Sequence, residues 1–396
     1  MKVIFLNVGG FSPQHSGVWQ KILSQHNALL NKGVSSSLLL INYSGSKTFD
    51  APIGINEPLP LSSNNPTISR IRKLFEKKNI YEKALMQIRE QDPDIVYLRF
   101  PTGDPFFLFF LNRIEKPVVS EHQTNEIREL AANQDWPKFF FEKVLGAKIR
   151  SKTNGMVCVT NEIAQNQSQT LARATNTLIP IRVISNGISL YHSPARRKVP
   201  VLDQEINLIF VGNISKWHGL DLIVKGIANY RGPKKIKLNI FGSGEYKQTL
   251  LELIKRHNVD RNIKCWGPMP PKELDSKFED AHLGIGSFGR YRTGMREGCA
   301  LKLREYCVRG IPFIDGTVDT DFPLMEFPFG MYLPPNKDGY IDFSQVVYFV
   351  ENVYRNYDPL EMVKEMRTYA ERKLDWNVKI EELINFFQYI IGTLEK

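Results

Sequence analysis

Short hydrophobic runs alternate with longer amphipathic segments along most of the chain, a pattern typical of sheets whose strands are joined by helices. In the first half, residues 3–8, 35–41, 94–99 and 117–121 form apolar runs that predict buried strands, and residues 18–32 predict a helix. Consecutive strands joined by a helix pair in parallel. The pattern therefore predicts an α/β domain with a parallel sheet.

The same alternation resumes in the second half of the chain. Residues 206–211, 236–241 and 281–288 predict strands, and residues 301–308 predict a helix that follows a loop of small residues. Gly310 comes directly after this segment, where a glycine commonly ends a helix. The second half therefore predicts another α/β domain.

A segment rich in proline and charge, residues 193–204, separates the two halves and predicts a linker. We therefore expect an N-terminal domain over residues 1–192 and a second domain over residues 205–370. The tail from residue 358 predicts two helices that meet near Trp376. A chain of 396 residues is long enough for this arrangement.

Composition favours globular cores, because 42% of the residues are hydrophobic and 11% are aromatic. No apolar run approaches the ~20 residues of a membrane span. The first apolar run leads into a glycine loop, which predicts a strand rather than a signal peptide. The cysteines predict reduced thiols of a cytoplasmic protein, with no metal-type spacing and no metal site; they are Cys158, Cys265, Cys299 and Cys307.

The net charge of +10 predicts an anionic partner. Three classes fit: a nucleotide sugar, an anionic membrane surface, and nucleic acid. We expect no nucleic-acid partner, because the chain contains no basic aromatic recognition module.

Two basic segments bear on the membrane alternative. Residues 68–90 combine many cations with one apolar face, which suits either a helix lying on a membrane or an ordinary surface helix. Residues 136–152 place three consecutive phenylalanines among lysines and arginine. We expect these aromatic side chains in the core and the cations in solvent, with contact to an acceptor lipid or membrane as the alternative.

Two glutamates bracket the predicted helix start, in surroundings that suit a nucleotide sugar. Phosphate binding is favoured by the free N–H groups and the positive dipole end at a helix start. In this chain the N–H groups in question belong to Gly298, Cys299, Ala300 and Leu301. Lys302 adds a cation, whereas Arg309 at the far end is expected outside the site. The carboxylates of Glu297 and Glu305 would accept hydrogen bonds from sugar hydroxyls. By spacing alone, they are equally two solvated side chains on a helix.

Other candidate residues lie in loops that follow predicted strands, where ligands of α/β sheets bind. His122 follows the strand 117–121. At this position it is either a catalytic or acceptor-contacting group or a structural histidine. Gly244 belongs to a G-S-G-E turn, and Gly10 and Gly17 belong to the first glycine loop.

Residues 297–314 read E-G-C-A-L-K-L-R-E-Y-C-V-R-G-I-P-F-I. This block resembles the donor-site signature of family-4 retaining glycosyltransferases, which have the GT-B fold. Residues 211–219, V-G-N-I-S-K-W-H-G, resemble the V-G-R-x-x-x-x-K-G loop whose cations hold the donor diphosphate. Asn213 and His218 stand where the usual arginine and lysine would be, and Lys216 lies nearby. The first glycine loop also resembles that of the same enzymes.

The resemblance implies two Rossmann-like domains that face each other across a cleft, with a C-terminal helix, residues 371–396, returning to the first domain. It also implies a metal-independent hexosyl transfer with retention, from a UDP- or GDP-linked sugar to a glycan or lipid-linked acceptor, as in polysaccharide biosynthesis. Catalytic roles would fall to His122, Glu297 and Lys302. Donor-binding roles would fall to Gly10, Gly17, Asn213, Lys216, His218, Gly244, Gly298, Cys299, Ala300, Leu301 and Glu305.

Two other functions stay open at the level of sequence. A nucleotide-sugar 2-epimerase of similar fold would need no acceptor. A non-catalytic protein that binds anions or a membrane surface would explain the charge but leave the glutamate loop without a role. The expected location is cytoplasmic, with the inner face of the membrane as a site of peripheral attachment.

Overall fold

The computed structural model describes residues 1–8, 17–42, 54–56, 66–174 and 178–395, and the side chains of the same residues except 42, 54–56, 66–76 and 174. The chain forms two units. Unit 1 comprises Met1–Ser185 and Lys379–Lys396, and unit 2 comprises Asn186–Val378.

Unit 1 contains a seven-stranded sheet in which every described pairing is parallel. Its order is β3-β2-β1-β4-β5-β6-β7. The strands are β1 (Lys2–Val8), β2 (Ser35–Asn42), β3 (Gly54–Asn56), β4 (Ile95–Arg99), β5 (Val118–His122), β6 (Gly155–Cys158) and β7 (Ile181–Val183). Strands such as β4 are apolar on both faces because helices cover both sides of a parallel sheet.

The helices of unit 1 connect these strands. They are α1 (Gly17–Asn31), α2 (Pro66–Gln91), α3 (Pro105–Leu111), α4 (Glu126–Ala132), α5 (Trp136–Arg150) and α6 (Asn161–Ala174). The starts of α3 and α5 are fixed by Asp104 and Asp135, whose carboxylates accept hydrogen bonds from backbone N–H groups of the first turn. The described part of α2 packs with α3 and Ile149 of α5 in one hydrophobic core.

Unit 2 contains a six-stranded parallel sheet of order β10-β9-β8-β11-β12-β13. The strands are β8 (Glu205–Val211), β9 (Lys235–Phe241), β10 (Ile263–Gly267), β11 (Leu283–Ile285), β12 (Phe313–Asp315) and β13 (Gly330–Tyr332). Two hydrophobic cores lie within this unit. Both sheets thus share the strand order of Rossmann folds, and the predicted fold class of two Rossmann-like domains is confirmed.

The helices of unit 2 are α7 (Leu220–Asn229), α8 (Lys247–Arg256), α9 (Pro271–Glu279), α10 (Leu301–Arg309), α11 (Phe343–Asn356) and α12 (Pro359–Lys373). The last helix, α13 (Trp376–Leu394), begins in unit 2, and its residues from Lys379 onward belong to unit 1. There Phe387 packs edge-on against Tyr97 of β4, with ring centroids 5.2 Å apart.

Two expectations differ from the structure. Residues 193–204, expected as a linker, lie in unit 2, where Arg196 is buried and donates a hydrogen bond to the carbonyl of Ala281 at 2.7 Å. A buried guanidinium ties this segment to the domain despite its prolines and charges. His122 was expected after a strand but is the last residue of β5, so its side chain is directed by the pleat of the strand.

Candidate functional site

The direction of chain crossover reverses in unit 2 between β8 and β11, which are neighbours in the sheet. In sheets of this kind, ligands bind beyond the carboxyl ends of the strands at such a switch point. Two loops leave β8 and β11 there, residues 212–219 and 286–300. They contain half of the residues that the sequence singles out, and Leu301 and Lys302 follow directly after the second loop, so we take this edge as the candidate site.

Hydrogen bonds and close packing fix the two loops to each other. The N–H of Phe288 donates to the carbonyl of His218 at 2.9 Å. Arg292 donates to the carbonyl of Lys216 at 2.8 Å and to both carboxylate oxygens of Asp221, in the first turn of α7, at 2.9 and 2.7 Å. Gly219 has a φ of +70°, and a Cβ there would lie 2.6 Å from the backbone nitrogen of the facing loop's Gly289. The loops therefore form a rigid wall.

Lys302, in the first turn of α10, directs a buried ammonium group toward this wall. Its Nζ lies 3.8 Å from the ring centroid of Phe210 and has no hydrogen-bond partner among the described residues. Burial lowers the pKa of Lys302 well below its ordinary value, and the nearby charge of Asp315 opposes this shift only in part. A buried cation without an acceptor is costly. Binding of an anion would relieve that cost.

Arg290 is a half-buried residue that brings a second buried donor atom to the site, and sequence reasoning missed it. Its guanidinium lies 4.8 Å from the ring centroid of Trp217. Its Nε is buried and has no hydrogen-bond partner within the described part of the chain. Its Cδ lies 3.8 Å from the position a Cβ would take on Gly298. The only signal in the sequence was a cation in the loop before Glu297.

Neither residue at the position of a usual family cation supplies charge at this wall. Asn213 is exposed, and its side-chain amide donates to the hydroxyl of Ser215 at 2.8 Å. His218 is buried, and its Nδ1 lies 3.4 Å from the N–H of Ser215. Burial, with the cations of Lys302 and Arg290, holds the pKa of His218 well below its ordinary value, so the ring is neutral.

The exposed loop residue Lys216 retains a charged side chain that solvent can reach. Its backbone carbonyl accepts a hydrogen bond from Arg292 at 2.8 Å, so the residue is positioned by the loop contact described above. Lys216 therefore stays a candidate contact for an anion at the rim of the site.

Gly244 supports the first loop by permitting close backbone contact. A Cβ at this position would lie 2.5 Å from both the side-chain oxygen of Asn213 and the carbonyl of Ile214. The N–H of Ile214 also donates to the carbonyl of Ser243 at 2.9 Å. Gly244 thus packs under the loop, and any substituent there would displace it.

The glycine before α10 does not offer its N–H to a ligand, contrary to expectation. The N–H of Gly298 donates to the carbonyl of Val318 at 2.9 Å, and a Cβ there would lie 2.2 Å from Oγ1 of Thr317. Ala300 caps α10 and Leu301 opens it. Among the described residues, the N–H groups of Ala300 and Leu301 have no hydrogen-bond partner. The N–H donors predicted for a phosphate are therefore fewer than expected.

Cys299 is a buried structural residue in this loop. Its Sγ lies 2.9 Å from the N–H of Asn186, and its carbonyl accepts from the Asn186 side-chain amide at 2.7 Å. Burial raises the pKa of the thiol to about 12, so it stays protonated. Cys299 therefore fixes the backbone of the loop and is not placed to bind an anion.

Arg304 explains why the loop before α10 is held in place. This fully buried guanidinium donates to the carbonyls of Asn186 and Ala300, at 2.9 and 3.2 Å, and to the carboxylates of Asp319 and Asp321. With Cys299, these two carboxylates form the one metal-like grouping among the described residues. Both carboxylates already accept hydrogen bonds from Arg304, and we assign no metal there.

The two glutamates occupy different environments. Glu297 lies before α10, is half-buried, and its backbone forms a parallel bridge with Val318. Glu305 lies within α10, where the hydroxyl of Ser193 donates to one carboxylate oxygen at 3.0 Å and Arg309 donates to the other at 2.5 Å. Arg309 was expected outside the site, but it orients Glu305 directly.

Asp315, at the end of β12, lies close to the cations of the site. It accepts hydrogen bonds from the N–H of Ser287 at 2.5 Å and from the hydroxyl of Thr317. Burial raises the pKa of Asp315 to about 6, although these hydrogen bonds and the charge of Arg290 oppose the shift. The carboxyl can therefore change protonation near neutral pH, beside Lys302.

His122 lies in unit 1 and has no exposed surface. Its Nδ1 is 2.8 Å from a carboxylate oxygen of Glu126, its Nε2 is 3.1 Å from the hydroxyl of Ser120, and its ring stacks on Phe100 at 4.5 Å. Both ring nitrogens are thus occupied inside the domain. This arrangement argues against the catalytic role that the sequence suggested.

The first glycine loop holds two further candidates, Gly10 and Gly17. Gly17 is the exposed first residue of α1. Gly10 lies outside the described residues.

The sequence match to a known family covers this site. Residues 193–319 match the sequence profile described as glycosyl transferases group 1. They include β8, both loops of the site, α10 and β12.

Solved structures match over almost the whole chain and show the GT-B fold. A sucrose-phosphate synthase from Thermosynechococcus elongatus has a TM-score of 0.69 and 13% identity, covering 99% of this chain and 100% of its own. An α-glucosyltransferase in complex with UDP has a TM-score of 0.67 and 11% identity, covering 98% and 100%. The lipopolysaccharide outer core galactosyltransferase WaaB has a TM-score of 0.62 and 15% identity, covering 97% and 98%.

No curated protein matches the sequence. Within the described residues, none of the helices combines the length and the apolar character that a membrane crossing needs.

Proposed function

We propose that the protein transfers a glycosyl group from a nucleotide diphosphate sugar to an acceptor, and that unit 2 binds the donor diphosphate. The observation that carries this proposal is the buried ammonium of Lys302, which has no hydrogen-bond partner at the switch point of the sheet. A protein retains such a group at a cost to stability, and an anionic ligand offsets that cost.

The same groups account for catalysis. Cleavage of the bond between the sugar and the diphosphate leaves negative charge on the phosphate oxygens. Donors that already point at that position stabilise the developing charge without reorganisation. In this proposal the role falls to Lys302, Arg290 and the N–H groups of Ala300 and Leu301 at the start of α10.

The two glutamates complete the proposed donor site. Glu297 binds hydroxyls of the transferred sugar, and Glu305 binds the ribose. Ser193 and Arg309 hold Glu305 in one orientation, and each of its oxygens keeps a further lone pair for a hydroxyl. Loss of such an acceptor leaves a bound diol unpaired, so Glu305→Ala should weaken nucleotide binding by about tenfold or more. An unchanged affinity in the folded variant would remove Glu305 from the ribose site.

The type of sugar transfer is proposed from the resemblance of residues 297–314 to the donor-site signature of retaining glycosyltransferases. We propose hexosyl transfer with retention, to a glycan or lipid-linked acceptor of polysaccharide biosynthesis. UDP is the first donor nucleotide to test, because several structures of similar fold were solved with UDP, one also with glucose and one with GlcNAc. GDP is the second.

A panel of nucleotides and sugar nucleotides tests the proposal. UDP, GDP and their hexose conjugates are added to the protein, and binding is followed by the shift of the thermal unfolding midpoint. The conjugate that binds is then incubated with and without acceptor extracts, and the anomeric configuration of the product is determined. Acceptor-dependent transfer is expected; a DNA acceptor belongs in the panel because one similar structure holds UDP and DNA.

The two alternative functions give different results in that assay. An epimerase would convert the sugar nucleotide without any acceptor. A non-catalytic protein would consume none of the conjugates. Either result, obtained with a conjugate that binds, would contradict the transferase proposal.

A further inference from the structure

The outward face of α5 in unit 1 exposes large apolar side chains. The exposed fractions are 59% for Trp136, 61% for Phe140, 59% for Val144 and 40% for Phe141. Trp136, Phe140 and Val144 follow one another at four-residue spacing and so form one line along the helix. The expectation that the phenylalanines belong to the core is therefore wrong for Phe140 and Phe141.

The buried side of the same helix is firmly attached, so the outward face is a fixed surface. Glu142 accepts a hydrogen bond from the N–H of Gly103 at 2.6 Å and pairs with Arg150 at 2.6 Å. Arg150 is also held by Glu126, at 2.9 Å, and by Gln167. Nothing about these contacts requires the aromatic side chains on the other side.

The exposed charges of this segment are all positive. Lys138, Lys143, Lys148 and Lys152 are exposed, while the acid Glu142 is buried in its pair with Arg150. Asp135, which precedes the helix, pairs with Lys138 at 2.6 Å. Three of the four lysines thus have no carboxylate partner within α5 or its caps.

We propose that this surface, defined by Trp136, Phe140, Phe141 and Val144 with Lys143, Lys148 and Lys152, docks on an anionic lipid bilayer. Aromatic side chains flanked by lysines are characteristic of helices that lie in the plane of a membrane interface. Protein interfaces are instead depleted of lysine. The cations complement anionic headgroups, and the aromatic side chains enter the boundary below them.

This surface differs from the basic segment that the sequence pointed to in α2. Of the cations there, Lys77 is only half-buried but pairs with Asp104, which caps α3. Arg70, Arg72 and Lys73 lie outside the residues whose side chains are described. The α5 surface is independent of these cations and of the proposed sugar transfer.

Co-sedimentation with vesicles tests the proposal on the full chain. The vesicles contain equal parts phosphatidylglycerol and phosphatidylcholine, or phosphatidylcholine alone, at low and high salt. The protein is expected to sediment with the anionic vesicles at low salt and to be released by salt. A chain that stays in the supernatant with anionic vesicles at low salt overturns the proposal.

Two sets of substitutions separate the apolar and the cationic parts. Trp136→Ser with Phe140→Ser and Phe141→Ser, and separately Lys143→Ser with Lys148→Ser and Lys152→Ser, should each lower partitioning into anionic vesicles by about tenfold or more. The matched control is Met325→Ser with Tyr348→Ser and Leu360→Ser, three exposed apolar residues of unit 2. Far-ultraviolet circular dichroism checks the fold of each variant. Equal partitioning of the α5 variants and the control would contradict the proposal.

Quenching by lipids that carry bromine on the acyl chains gives a second measurement. Bound wild-type protein should lose part of its tryptophan emission, and Trp136→Phe should bind equally while losing most of that quenching. Binding without a difference between these two proteins would show that another surface contacts the bilayer. A dimer in solution that the three serine substitutions dissociate, without vesicle binding, would instead identify a protein interface and overturn the proposal.

Discussion

Buried charges occur in both units, but the network around His122 in unit 1 and the candidate site of unit 2 treat them in opposite ways. In unit 1, His122, Glu126, Arg150 and Glu142 form a chain of opposite charges and hydrogen bonds with distances of 2.6 to 2.9 Å. In the candidate site of unit 2, Nζ of Lys302 and Nε of Arg290 are buried donor atoms without a hydrogen-bond partner among the described residues. Paired charges stabilise a domain only weakly but are damaging to break. Unpaired ones indicate a place for a ligand.

This contrast decides which predicted residues belong to a site. His122 lies at the carboxyl end of a strand in one parallel sheet, and Lys302 lies near the carboxyl ends of the strands in the other. Only the surroundings of each side chain distinguish the two residues. Glu126, the acid beside His122, has a strongly shifted pKa. Although burial by itself raises the pKa of Glu126, the charges of His122 and Arg150 lower it to about 2. Glu126 is therefore ionised at neutral pH, with its carboxylate bound to His122 and Arg150.

The largest expected effect is on stability, from breaking the network in unit 1. Glu126→Gln removes the charge shared by His122 and Arg150, and breaking a buried pair costs about 3–5 kcal/mol. The thermal midpoint should fall strongly while the affinity of the folded protein for the nucleotide is unchanged. A loss of nucleotide affinity larger than the loss of stability would place this network in the site.

Lys302→Met reverses that pattern. Loss of a charge-assisted hydrogen bond should weaken nucleotide diphosphate binding by about 10- to 100-fold. Because the unliganded protein no longer buries an amino group without an acceptor, its thermal midpoint should rise or stay the same. Lys255→Met, at an exposed position on α8, is the control. A variant that unfolds more easily and binds normally would assign Lys302 a structural role.

Arg290→Gln should weaken the same binding by about tenfold, because one of the two cations of the site is lost and Lys302 remains. Arg290→Lys restores a cation but not the planar donor geometry, so it should recover only part of the affinity. Calorimetric titration measures both. Full affinity in Arg290→Gln would show that Arg290 has no role in binding, and Lys302 would then be the remaining candidate cation.

The smallest expected effect is a dependence of affinity on pH. Burial lowers the pKa of Lys302, and a bound diphosphate would raise it again, so binding should take up a proton. Affinity should therefore increase as the pH falls toward neutrality, by at most about tenfold per pH unit. Calorimetric titrations in buffers of different ionisation enthalpy measure this proton uptake. They are done above about pH 8, where the terminal phosphate of the nucleotide is already ionised.

Asp315→Asn distinguishes the two groups that could take up this proton. The pKa of Asp315 is raised to about 6, so this carboxyl is ionised above that pH and would also respond to a bound anion. Uptake that persists in Asp315→Asn and disappears in Lys302→Met assigns the proton to the lysine. The reverse result would assign it to the carboxyl.

The sequence predicted the elements that depend on local rules. The helix expected over residues 301–308 spans Leu301–Arg309 and ends at Gly310, whose φ of +77° suits a residue without a Cβ. The clustering of loops at one edge of each sheet followed from parallel pairing. These features require only periodicity, helix-ending residues and the topology of an α/β fold.

The features that were missed depend on contacts between distant parts of the chain. Arg290 joins the site because Trp217, from the other loop, supports its guanidinium at 4.8 Å. Arg309 orients Glu305 one turn away on the same helix, a spacing that was visible, but its burial against Phe278 was not. The occupation of the Gly298 N–H and the burial of His122 likewise depend on three-dimensional packing.

The most direct test of the central claim compares a nucleoside with its diphosphate. Uridine and UDP, or the guanosine pair if the panel selects it, are titrated into wild-type protein and Lys302→Met by calorimetry. If the unpaired cation holds the diphosphate, the wild type binds the diphosphate much more tightly than the nucleoside, and the variant loses most of that preference while its nucleoside affinity is unchanged. A preference for the diphosphate of equal size in both proteins would contradict the account.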